Sequence, residues 1–213
     1  AALFTQEFFT TVRGRLASGG IFCQWAHTYD VSEADLRSIV ATFHAVFPDA
    51  TMWLVGEGDL LLVGSTEAIE PRLENIATTW RRPGVGDDLR SIGMQEPFAL
   101  LSLFAGGPGE ISHYGEGAAV QHDDRMALEF SGPFAIFSGV EANHAAAIRA
   151  LLERARTPSI LSHAFSTATA SQWRDRGAML MKAEDVESAY RAYATALELT
   201  AGDQAALDGL VRA

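Results

Sequence analysis

Residues 21–63, IFCQWAHTYDVSEADLRSIVATFHAVFPDATMWLVGEGDLLLV, decide the fold. Ile21-Phe22-Cys23-Gln24-Trp25 is short, apolar and preceded by Gly19-Gly20, the pattern of a buried strand. Ser32, with Asp35 three residues on, has the form of a capping box and opens a helix. Leu36, Ile39, Val40, Phe43 and Val46-Phe47 then recur at helical spacing until Pro48 ends it. Thr51 to Val55 and Leu60 to Val63 are β-rich runs on either side of Gly56-Glu57-Gly58-Asp59, which predicts a hairpin. Upstream, Phe8, Phe9, Val12 and Leu16 predict an amphipathic helix over 5–16. Helix, strand, helix, strand, tight turn, strand is an α/β order. It predicts parallel strands joined by crossover helices, with one antiparallel strand near the edge. A helix placed first, without a strand before it, implies that the beginning of the sheet lies upstream of Ala1.

Beyond Thr66 the pattern loosens. The spacing predicts helices near 67–80 and 96–104, a polar bend at Arg81-Arg82-Pro83-Gly84, glycine-rich loops around 106–109 and 115–117, and a short strand at Met126 to Phe130. Past Gly139 the composition turns to alanine-rich helix, with Ile148, Leu151 and Leu152 on one face and Pro158 in the first turn of the next helix. In the tail, Trp173, Gly177, Leu180, Ala189, Tyr193 and Ala196 are spaced as in a tetratricopeptide repeat, where large residues pack between two antiparallel helices and small ones allow close approach. The chain thus divides into a partial α/β domain, 1–138, and an α-helical tetratricopeptide-like tail, 139–213.

Sixteen Lys and Arg against 27 Asp and Glu leave the 213-residue chain at −11. That balance excludes a basic nucleic-acid-binding surface. With 48% hydrophobic residues the chain can bury a core, and the single cysteine, Cys23, excludes a disulfide framework. No apolar stretch approaches the ~20 residues of a membrane span. The start Ala1-Ala2-Leu3-Phe4 lacks both methionine and a basic leader region, so the expectation is a piece of a longer, cytoplasmic protein.

No glycine loop stands where a strand hands a phosphate to a helix start, and the six histidines are dispersed. His122-Asp123-Asp124 alone clusters metal-type ligands, and it reads rather as a solvated acidic turn capping local backbone; no metal is expected. Cys23 within an apolar strand reads as packing. The informative polar segment is the exit of the first strand, because ligands of open α/β sheets sit beyond the carboxyl ends of strands. Gln24 can donate and accept, Trp25 and Tyr29 can wall a pocket, and Asp30 can attract an amine, so these four are the candidate substrate-binding residues. The alternative is that Asp30 or Ser32 caps the helix while Trp25 packs on the sheet.

The run Leu3-Phe4-Thr5-Gln6-Glu7-Phe8-Phe9, then Arg15-Leu16-Ala17-Ser18-Gly19-Gly20-Ile21-Phe22-Cys23-Gln24-Trp25, then Phe43-x-x-Val46-Phe47-Pro48, is similar to the carboxyl half of the spermidine synthase-like proteins. Asp123-Asp124-Arg125 followed by Leu128-Glu129-Phe130 resembles a motif of the large bacterial members, some of them fused to membrane segments and tetratricopeptide tails. The resemblance implies the carboxyl half of a Rossmann-like class I methyltransferase fold with a terminal antiparallel hairpin. It implies a parent that uses S-adenosylmethionine, or its decarboxylated form, to transfer a methyl or aminopropyl group to an amine, with Gln24 facing that amine. In that family the glycine-rich cofactor loop and the catalytic aspartate precede the first helix seen here. The resemblance therefore assigns no catalytic or cofactor residue to this chain and no catalysis to it alone. A reading of another class is a non-catalytic scaffold whose helical tail binds a partner protein.

Overall fold

The computed structural model describes residues 2–137, 144–154 and 158–213. A 3-10 turn, Ala2–Phe4, leads into α1 (Gln6–Arg15). Thr5 caps α1: its hydroxyl oxygen accepts from the Phe8 N–H at 3.3 Å, one of the donors that a helix start leaves unpaired. There follow β1 (Ile21–His27), α2 (Glu33–Val46), β2 (Thr51–Val55) and β3 (Asp59–Ser65). Ser32 caps α2 as its spacing predicts, accepting from Asp35 N and donating to Asp35 Oδ2 at 2.7 Å. The other carboxylate oxygen of the buried Asp35 accepts from Ser131 Oγ at 2.8 Å, so the buried charge is hydrogen-bonded on both sides.

The fold is mixed α/β, and its sheet has four strands in the order β1-β3-β2-β4. β1 runs antiparallel to β3, in register from Ile21 opposite Ser65 to His27 opposite Asp59. The antiparallel strand, expected near the edge of a parallel sheet, thus lies inside the sheet, between β1 and β2. The three-residue connection between β2 and β3 folds β3 back beside β2, and β3 then occupies the place between β2 and β1. The even residues of β1 and β3 face inward. Phe22 meets the rings of Phe8, Phe9, Phe43 and Phe47, while Leu60 and Leu62 are fully buried in the same core. The odd residues Ile21, Cys23 and Trp25 are exposed. The period-2 rule thus describes one covered face and one open face, rather than a strand buried on both.

Downstream, the expected helix over 67–80 is a 3-10 turn, Glu70–Asn75, followed by α3 (Ile76–Trp80); Pro71 has no N–H for a continuous helix there. After the bend at 81–84 comes α4 (Val85–Ser91), which the spacing did not predict. The helix near 96–104 is shorter, α5 (Pro97–Leu101), and the chain then forms β4 (Phe104–Gly106) and α6 (Pro108–Tyr114). Met126 to Phe130 is not a strand. The segment enters α7 (Leu128–Phe137), with Gln121 Oε1 accepting from Ala127 N at 3.0 Å just before the helix starts. α8 (Ala145–Arg154) carries Ile148 fully buried and Leu151 packed against the core; the side chain of Leu152 and the composition shift near Gly139 lie outside the described residues. Pro158 stands one position earlier than expected, as the N-cap of α9 (Ser159–Thr167), and α10 (Ala170–Lys182), α11 (Val186–Leu199) and α12 (Gln204–Arg212) complete the chain.

These elements form two compact units, one of residues 1–54, 58–70 and 105–156, the other of 55–57, 71–104 and 157–213. In the first, α1, α6 and α7 pack on α2. In the second, α5 packs on α9 and α10: Phe98 sets its ring edge-on to Phe165 and Trp173 at 5.5 and 5.2 Å, and Gln172 Nε2 donates to Glu96 Oε2 at 2.7 Å. Trp173 is further covered by the Arg176 guanidinium, 5.6 Å from its ring centre. No helix among the described residues is long and apolar enough to cross a membrane.

Candidate functional site

The strand period places Trp25, His27 and Tyr29 in one row at the exit of β1, and the distances bear this out. Trp25 and His27 ring centres are 5.6 Å apart, His27 and Tyr29 5.1 Å. The row lies open, with Trp25 49% and Tyr29 46% exposed. Asp59, opposite His27 in register, accepts from Trp25 Nε1 at 2.7 Å, which ties the indole to β3 and holds a carboxylate at its edge. Asp30 follows in the left-handed region, φ 51°, a conformation that aspartate tolerates better than most residues, and its side chain is exposed. The chain is tied down just there. Thr28 N donates to Gly58 O at 2.9 Å, His144 N donates to Thr28 O at 3.1 Å, and His144 Nε2 donates to Val31 O at 2.9 Å.

Of the four candidates, Trp25 and Tyr29 share this row, and Asp30 follows it in the next, exposed turn of the chain. Gln24 does not join them. It is one residue out of phase, half-buried, and its Nε2 donates to the Trp25 carbonyl at 2.9 Å. His27 and Asp59 complete the row and were missed. His27 was legible from the alternation alone, whereas Asp59 needs the β1/β3 register. Together the row offers π faces beside carboxylates, which is the chemistry that attracts an alkylammonium or guanidinium group.

Other candidate groups are engaged elsewhere. His122 Nδ1 shares a 2.9 Å hydrogen bond with Glu7 Oε1, and Asp123 N donates to Glu7 Oε2 at 3.1 Å, which pins the 122–125 turn to α1. Among the described residues no three His, Cys, Asp or Glu converge on a point. Gly107 N donates to Glu110 Oε2 at 2.7 Å, so a carboxylate occupies the amide of the glycine-rich loop. Burial, and then the charge of Glu110, push Glu70 above the usual carboxylate range. Cys23 is exposed on the open face of the sheet, yet partial desolvation by its neighbours pushes its thiol up, away from the thiolate a nucleophile needs. An open groove of about 550 Å³ runs between α2 and α6, lined mainly by small residues with His44 on its wall. The Nδ1 of His44 is buried without a partner, and burial lowers its pKa, only partly opposed by Asp49.

The Glu7 clamp has a pH signature. The His122 bond, the largest cause, holds Glu7 below its ordinary value of 4.5. A group depressed in the folded state stabilises it above the unfolded pKa, and the contribution fades as pH falls through the folded pKa. Glu7→Gln should therefore melt below wild type at about pH 6, with the gap narrowing as the pH falls below the ordinary value of 4.5. A gap that stays constant across thermal melts in that window would disprove the clamp's role.

No family model, curated protein or solved structure matches this chain.

Proposed function

We propose that the chain is the carboxyl-terminal portion of a spermidine synthase-like transferase joined to a tetratricopeptide-like tail, and that the exit of β1 receives the amine acceptor. The observation that carries this reading is the Trp25–His27–Tyr29 row with Asp59 hydrogen-bonded to its first ring. The mixed α/β order with its hairpin supports it as well. Trp25 and Tyr29 wall the amine, and Asp59 and Asp30 draw in its positive charge. In the parent, the amine nitrogen would attack the carbon bonded to the sulfonium of S-adenosylmethionine or its decarboxylated form. The C–S bond breaks, a neutral thioether leaves and the new ammonium gives up a proton, so positioning and electrostatics supply most of the rate.

Titrating a linear triamine into the chain by calorimetry tests the site. Trp25→Ala and Asp59→Asn should each weaken binding by about tenfold, the effect of one desolvated cation–π or charge contact. Unchanged affinity in both variants would sink the amine site. Absence of affinity for either sulfonium cofactor in the longer parent would sink the transferase.

A second reading is favoured by Val186 and Tyr190, exposed one turn apart on α11. It makes the chain a scaffold whose tail binds a protein. Tyr190→Asp should then abolish capture of that protein by the full chain, and capture that survives the substitution would count against the tail.

A further inference from the structure

We propose that Glu70 and Glu110 form a proton-dependent clasp, closed while one proton lies between the two carboxyl groups and loosened when both are charged, which fixes the turn between β4 and α6 against the chain that leaves β3.

The space that side chains would fill at Gly106-Gly107 is taken by these two glutamates. A Cβ on Gly106 would stand 2.7 Å from Glu110 Cβ and 3.0 Å from Met52 Cε, so the stem of Glu110 lies on the end of β4 beside the fully buried Met52 of β2. A Cβ on Gly107 would collide with Glu70 Oε1 and stand 3.4 Å from Glu110 Oε2. The two carboxyl groups therefore meet over one Cα, their oxygens no further apart than those two contacts together allow. Gly107 itself is buried, and both glutamates are half-buried. Oε2 of Glu110 already accepts from Gly107 N at 2.7 Å, which leaves Glu70 as the group to carry the proton.

Like charges this close, and partly withdrawn from water, resist ionising together. Burial first, and then the charge of Glu110, accordingly raise the Glu70 carboxyl above its ordinary value of 4.5. No other charge competes from the neighbouring elements. β2 and β4 carry none, and α6 adds to Glu110 only His113, exposed and 3.7 Å from Glu116. On its own turn Glu70 is followed by Arg72 and Glu74.

The clasp stands where the chain leaves and re-enters the first unit. Glu70 is the last residue before the chain passes into the second unit, and Gly107 and Glu110 come just after it returns at Ala105. Within the first unit, the outgoing and the returning chain are thus tied to each other. β4 is three residues long and stands at the end of the strand order, so it makes few ladder bonds and depends on this anchorage.

Carboxyl-carbon NMR of the full chain, with amide exchange along β4, tests the clasp. A carboxyl whose folded pKa is raised holds its proton more tightly in the folded state, so the clasp is firmest below the ordinary value and is lost as pH rises through the folded one. Glu70 should titrate above 4.5. Protection of the β4 amides, corrected for the intrinsic pH dependence of exchange, should fall through that midpoint by about tenfold for each unit that the midpoint is raised. Glu70→Gln keeps a donor without the charge, and should hold that protection constant with pH and above wild type at neutrality. Glu110→Gln removes the like charge and should bring the Glu70 midpoint down towards 4.5. Gly107→Ala should do the same by pushing the Glu70 carboxyl off the turn, at a backbone already extended. The wild-type titration and exchange stand without any variant, so a substitution that fails to fold cannot rescue the proposal. A Glu70 midpoint at or below 4.5, a midpoint unmoved by Glu110→Gln, or wild-type protection of β4 that does not change with pH would each overturn it.

Discussion

Phe43→Ala should destabilise the sheet-bearing unit by about 3–5 kcal/mol, the cost of removing a fully buried aromatic from a packed core. Phe43 is inaccessible to solvent, with Phe9 edge-on at 5.1 Å, Phe47 stacked at 4.9 Å and Phe22 stacked at 6.2 Å. It is the ring through which α1, α2 and β1 meet. Neighbours held on three separate elements cannot all relax into one cavity, which places the loss towards the upper end of that range. Because the chain has two compact units, a single melting curve would blend two transitions. Amide exchange read at Leu60 and Leu62 isolates the right unit. Those amides should exchange faster by roughly two to four decades. Phe8→Ala, at a partly buried ring on the margin of the same cluster, should cost clearly less. Protection within tenfold of wild type after Phe43→Ala would mean that this cluster does not hold the sheet together.

That cluster was largely legible in the sequence, because Phe9, Phe43 and Phe47 fall on helical periods and Phe22 on a strand period. β1, α2, β2 and β3 were legible for the same reason. Neighbour order was not. Nothing local to β3 records that it lies between β2 and β1, since that follows from a turn connection and from which faces remain to be covered. β4 was hidden because three residues, one of them glycine, carry no period. Met126 to Phe130 alternates over too few positions to separate strand from helix, and the Gln121 side chain, which donates to the buried Ser38 of α2, fixes the helix entrance. The site divides in the same way. Trp25, His27 and Tyr29 share a parity that can be counted, and Gln24 does not. Asp59 joins them only through cross-strand register, which depends on where the hairpin closes.

The tail should be sensitive to a single added side chain. Gly209→Val is expected to destabilise the second unit by about 2–3 kcal/mol through overpacking. Tyr193, on α11, is buried with its ring between Gly177 of α10 and Gly209 of α12. A Cβ on Gly177 would stand 2.8 Å from that ring, and one on Gly209 closer still, nearer than real Cβ atoms come to anything. The ring cannot retreat from one glycine without meeting the other, so the three helices must part. Gly14, near the end of α1, is the control, since a Cβ there meets nothing within 4 Å. Gly14→Ala should stabilise by about 0.5–1 kcal/mol, the ordinary helix preference for alanine. The sign of a glycine substitution thus reports the approach of the Tyr193 ring and not helix propensity. Tyr193→Ala in the Gly209→Val background should recover part of the loss, with a coupling of about 0.5–3 kcal/mol, because the clash and the cavity occupy the same space. Amide exchange along α11 and α12 reads the two single tail variants and their combination, and exchange along α1 reads Gly14→Ala. Additive effects of the two substitutions, or a Gly209→Val chain as protected as wild type, would show that the ring does not clasp the helices.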